Sequence, residues 1–97
     1  MRPEGAYFWA THTGAELDLL LLKGGRRYGV EVKFQDAPRL TLSMRIALSD
    51  LRLDRLTVLY PGEVSYPLDR RVDVVPLAQL AGDPQIITRG RRFSSAR

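Results

Sequence analysis

Cysteine is absent from the 97 residues, so neither a disulfide framework nor a thiolate metal site can form. That composition suits a reducing compartment. No apolar run approaches the roughly 20 residues that span a bilayer. The opening MRPEGAYFW lacks the basic-then-apolar pattern of a secretory signal. A cytoplasmic protein without a membrane partner is the expectation. No Gly-x-x-x-x-Gly-Lys-Ser/Thr run occurs, so the chain carries no phosphate loop of its own. Lysine is scarce: 2 lysines, Lys23 and Lys33, stand against 13 arginines, which makes the placement of each lysine informative.

What is present describes one small globular domain. The chain is 44% hydrophobic and 27% charged, and a domain of this size buries roughly 60–65% of its unfolded surface, enough for one core. The net charge is +4, and the closing stretch TRGRRFSSAR holds four arginines and no acid. Such a balance is compatible with nucleic acid, and equally with a solubilising tail. Residues 1–83 read as the folded domain, and 84–97, without apolar periodicity, as a basic, flexible tail.

Tyr7 to Thr11 is aromatic and β-prone and reads as a strand, with His12-Thr13-Gly14 as a turn. Residues 15–22 and 27–34 form two further strands around Gly24-Gly25, a pair suited to a type I′ hairpin turn. Asp36 and Pro38 open a helix expected from Pro38 to Leu51, with Leu40, Met44, Ala47, Leu48 and Leu51 on one face. RLTVLY (55–60) and VDVV (72–75) are strands, and PLAQLAG closes the domain as a short helix. The order β-β-β-α-β-β predicts an α/β fold whose mixed sheet joins an antiparallel hairpin to a parallel pair.

A two-residue loop at Gly24-Gly25 pairs residues whose numbers sum to 49. Leu17, Leu19, Leu21, Tyr28, Val30 and Val32 then share one apolar face. The other face sets Asp18 opposite Glu31 and Glu16 opposite Lys33, with Leu20 meeting Gly29. Like charges directly opposite, with Cβ atoms roughly 5 Å apart, destabilise a sheet. A hard divalent cation reverses that sign, because Mg²⁺ takes one or two carboxylates together with water and phosphate oxygens. The bland alternative is a Glu16–Lys33 cross-strand ion pair, with Asp18 reaching Arg27 or the neighbouring strand.

"AELD", then thirteen residues from Asp18 to Glu31, then "EVK" and an amphipathic helix resembles the PD-(D/E)xK nuclease superfamily. More of the chain, about residues 5–80 with "GAELDLLL" and "EVKF" as its specific blocks, resembles the C-terminal domain of unknown function that follows AAA-type ATPase modules. The resemblance implies a restriction-endonuclease-like core that hydrolyses phosphodiester bonds with Mg²⁺ or Mn²⁺, DNA being the expected nucleic acid. It implies Asp18 and Glu31 as metal ligands, the Val32 carbonyl as a third, and Lys33 as the residue that orients or deprotonates the attacking water. Glu16, His12, Ser43 and Arg45 are candidate accessory residues. The superfamily core opens with a helix, and this chain begins directly at the first strand. The bare sheet face that such a gap leaves predicts a homodimer.

A competing expectation is a catalytically degenerate module that docks onto an ATPase or onto itself. Base stacking by Trp9 or Tyr7-Phe8 and phosphate contacts by Arg26-Arg27 or Arg70-Arg71 are weaker alternatives.

Overall fold

Both central residues of the Gly24-Gly25 turn have positive φ, 59° and 78°. That mirror-image turn matches strand twist and is open to glycine without steric cost. It joins β2 (Glu16–Lys23) to β3 (Arg26–Val32), and their register runs from Lys23↔Arg26 to Leu19↔Val30, with numbers that sum to 49 as expected. The computed structural model describes residues 5–10 and 16–89, with side chains over 17–89. Within it, β1 (Gly5–Ala10), α1 (Leu42–Asp50), β4 (Arg55–Tyr60), β5 (Tyr66–Asp69), β6 (Val72–Pro76), α2 (Leu77–Gly82) and α3 (Ile86–Arg89) complete the domain.

The sheet is mixed, in the order β1-β2-β3-β4-β6-β5. β3, β4 and β6 are parallel, flanked by antiparallel neighbours. β5, the short segment YPLD, was not expected as a strand, because Pro67 cannot donate to a ladder and the run is short. An edge position with a register shift between Pro67 and Asp69 accommodates both features.

The helix after β3 starts at Leu42 rather than Pro38. Thr41, in extended conformation, accepts the Met44 N–H through its hydroxyl at 3.1 Å, and so caps the first turn in place of Asp36. Pro38 is buried, and its carbonyl accepts the Tyr66 hydroxyl at 2.8 Å. The helix ends in a Schellman motif. Arg52 N–H bonds Ser49 O, Leu53 N–H bonds Leu48 O, and Arg52 takes the left-handed φ of 52° usually given to glycine.

Two apolar layers cover the sheet, not one. α1 packs Met44, Ala47, Leu48 and Leu51 on Leu20, Leu56, Val58, Val72 and Val74. On the other face α3 packs Ile86 and Ile87 on Tyr28, Val30, Leu59 and Val75. The sheet face expected to lie bare therefore carries α2 and α3 over these residues, which removes the packing reason given for a second copy. It also corrects the tail, since residues 86–89 are helical with both isoleucines buried. Two adjacent isoleucines have no helical period, so pattern counting passes over them. Residues 90–97 lie outside the described residues.

A second correction concerns Leu17. Alternation places it with Leu19 and Leu21, yet it packs with Leu20 in the layer under α1. The β1–β2 register shows why: Tyr7 pairs with Leu20 but Trp9 with Leu17, so β2 holds one extra residue there. A bulge of this kind reverses the alternation beyond it.

Candidate functional site

Glu31 stands near the carboxyl end of β3, opposite Val58 of the parallel strand β4. Strand alternation puts it on the face of Gly29, the face under α1. A Cβ on Gly29 would lie 2.7 Å from Leu53 Cδ1 and 3.0 Å from Leu17 Cδ1, so glycine there lets the two leucines close over the strand. Glu31 itself is buried, with 5% of its surface exposed. Its Oε2 lies 2.7 Å from Lys33 Nζ. Its buried Oε1 has no hydrogen-bond partner.

Lys33 is fixed from its backbone. Its N–H bonds Leu59 O at 2.8 Å, continuing the parallel ladder past Val32 and directing the side chain back over Glu31. Among the described residues its ion pair is with Glu31. The side chain of Glu16 lies outside the described residues, as does His12.

Asp18 falls within the extra-residue stretch of β2 and is exposed. Its Oδ2 accepts the Val32 N–H at 2.7 Å. A strand N–H points along the sheet plane, so this carboxylate turns into the plane, where a neighbouring carbonyl would otherwise serve. The directly opposed, same-face pair of acids is thus replaced by a different arrangement. Asp18 is fastened to the backbone of Val32, the residue after the buried Glu31. Among the described residues Arg27 is not its partner: Arg27 Nε bonds Leu51 O at 2.6 Å.

Asp18, Glu31 and Lys33 therefore gather around Val32, each held by a bond that this strand end supplies. Among the described residues no group of three or more His, Cys, Asp or Glu side chains is assembled for a metal. Any cation here would draw on two carboxylates and main-chain oxygen. Ser43 is half-buried and Arg45 exposed in the first turn of α1.

One polar cluster escaped sequence reasoning. Asp73 of β6, 1% exposed, accepts Arg55 Nη1 of β4 at 2.6 Å, beside buried Thr57. The aspartate in VDVV was the available signal, but its partner is supplied by a parallel strand. This pair lies on the α3 side and ties β4 to β6. No helix among the described residues is long and apolar enough to cross a membrane.

Residues 1–80 match the family described as Domain of unknown function (DUF4143). Uncharacterized protein Rv2008c of Mycobacterium tuberculosis and uncharacterized protein Mb2031c of Mycobacterium bovis are each 45% identical to this chain over 80 residues. That region is 82% of this chain but 18% of either relative, so the chain spans under a fifth of their length. No solved structure matches. By the extent of that match, the chain belongs to the DUF4143 family.

Proposed function

We propose that the domain is a metal-dependent nuclease of the PD-(D/E)xK kind, cleaving phosphodiester bonds of nucleic acid, DNA first, with Asp18, Glu31 and Lys33 at its centre. The observation that carries this reading is the state of Glu31: a buried carboxylate with Lys33 on one oxygen and nothing on the other. A buried acceptor without a partner costs about 1–3 kcal/mol, more when charged. A bound cation would give that acceptor its partner.

The donors fit the ion. The Glu31 and Asp18 carboxylates and the Val32 carbonyl are hard oxygen ligands, which suit Mg²⁺ or Mn²⁺ and not a thiophilic metal. When bound, such an ion acidifies a water and shields the charge that develops on phosphate. The chain supplies the rest. The Lys33 ammonium holds the buried Glu31, and the Val32 N–H fixes Asp18. The Lys33 ammonium, a compact charge with three donors, can hold a water or phosphate oxygen.

The test is cleavage of supercoiled plasmid and of labelled oligonucleotides in Mg²⁺ or Mn²⁺, with chelator as control. Wild type should cut. Glu31→Gln and Lys33→Ala should cut at least about a hundredfold more slowly, the scale of losing one preorganised electrostatic contact. Mn²⁺ should raise the melting temperature of wild type and not of Glu31→Gln. Metal-independent cutting, or cutting by Glu31→Gln at the wild-type rate, overturns the assignment.

A second reading is favoured by how self-contained the motif is, with Glu31 satisfied in part by Lys33 and Asp18 by Val32. It is a non-catalytic module that keeps the nuclease framework and docks onto an AAA-type ATPase or a second copy. No cleavage and no Mn²⁺ shift, with association retained, would favour it.

A further inference from the structure

At the turn end of the hairpin, away from Glu31 and on the α3 side of the sheet, Lys23, Arg26, Tyr28, Gln85, Thr88 and Arg89 line an open cleft of about 420 Å³. Three of these six are cationic. Lys23 and Arg26 are the last ladder pair before the turn and lie directly opposite each other. Like charges so placed destabilise a hairpin, so their pairing does not serve the fold. Among the described residues neither makes an ion pair, whereas Arg55 and Arg89 have Asp73 and Asp83. Lys23 is also one of only two lysines in the chain.

We infer that this cleft binds the phosphate backbone of a single nucleic-acid strand, with Lys23 and Arg26 as its two phosphate contacts. Two exposed cations at one edge of a concavity give sequence-independent attraction to a polyanion. The volume lies low in the range of ligand pockets, about 300–1,000 Å³, which suits nucleotide-sized pieces of one strand rather than a duplex. Gln85 and Thr88 offer neutral hydrogen-bonding groups for sugar or base edges, and Tyr28 forms an apolar wall. β3 carries Arg26 at one end and Glu31 towards the other, about 16 Å apart at roughly 3.3 Å per residue. The cleft therefore anchors a part of the strand distant from the proposed cleavage centre. It rests on the proposed function only in sharing the nucleic acid, and it stands if catalysis fails.

The experiment is fluorescence anisotropy of a labelled single-stranded oligonucleotide in a salt series, without divalent metal. The proteins are wild type, Lys23→Glu/Arg26→Glu, and the charge-matched control Arg39→Glu/Arg52→Glu at exposed positions elsewhere. Wild type and control should bind alike. The cleft variant should bind at least tenfold more weakly and lose about 1.4 from its salt slope, about 0.7 per phosphate contact on single strands. Its melting temperature should stay close to that of wild type, because one exposed like-charge pair takes the place of another. Equal weakening in both variants, wild-type binding by the cleft variant, or full competition by inorganic phosphate, ATP or an acidic peptide at equal charge overturns the inference. Glu31→Gln should bind the oligonucleotide as wild type does, so a failed nuclease and a failed anchor give different results.

Discussion

Lys33 Nζ and Glu31 Oε2 lie 2.7 Å apart, two residues along one strand, and the acid is the buried member, its side chain 6% exposed against 31% for the lysine. Removing the lysine strands a charge inside the protein. Lys33→Ala should lower stability by about 2–3 kcal/mol, below the full cost of breaking a wholly buried pair because the amine is partly solvated. Adding Glu31→Gln should recover more than half of that loss in urea unfolding. Equal stability of Lys33→Ala and wild type would mean that the pair is ornamental.

Asp18 separates a structural duty from a metal-binding one. Asp18→Ala leaves the Val32 N–H without its acceptor and should cost about 1 kcal/mol. Asn keeps a side-chain oxygen, so Asp18→Asn should stay within about 0.5 kcal/mol of wild type while weakening the Mn²⁺-induced rise in melting temperature.

Arg52 occupies the left-handed position of the α1 Schellman motif, which costs a non-glycine residue about 1 kcal/mol. Its side chain is exposed. Arg52→Gly should stabilise the domain by about 0.5–1 kcal/mol in chemical denaturation, an uncommon sign for a change to glycine.

Ile86 and Ile87 close the second core layer, so a chain cut after Gly82 should not behave like the intact domain. Ile86→Ala and Ile87→Ala should each cost about 2–4 kcal/mol. The truncated chain should bind a hydrophobic dye through uncovered Tyr28, Val30, Leu59 and Val75. Unchanged melting after truncation would return these residues to the status of a tail.

Tyr66 gives a pH dependence. Its hydroxyl donates to Pro38 O at 2.8 Å and its ring meets Tyr60 edge-on at 6.0 Å. Burial, and then the neighbouring Tyr60, raise its pKa above the usual 10.0. A raised folded-state value means that the native protein holds the phenolic proton more tightly than the unfolded chain. This contribution is complete below pH 10 and is lost as pH climbs through the folded value. Melting temperature should therefore fall more steeply above pH 10 for wild type than for Tyr66→Phe, and parallel curves would exclude the coupling.

Much of this was readable from residue order. Gly24-Gly25 specified the turn and the Leu19↔Val30 register, because few residues tolerate positive φ at two successive positions. Alternation and helical spacing located the hairpin, β4, β6 and α1, and Glu31 and Lys33 were flagged by charges within apolar strands. Other features had no local cause. Thr41 and Asp36 are both competent caps, and the burial of Pro38 decides between them. β5 exists because β6 offers it a partner, and α3 because Tyr28 and Val75 need a cover.

The sequence by itself determined which groups lie near Val32, since turn chemistry and a period of two act over a few residues. Only the tertiary structure decided how deeply each one sits. An extra residue in β2 sent Leu17 under α1 and turned Asp18 towards the Val32 N–H, while Glu31 ended up 5% exposed against Lys33. A carboxylate's surroundings depend on elements far along the chain, and no short stretch of residues encodes them.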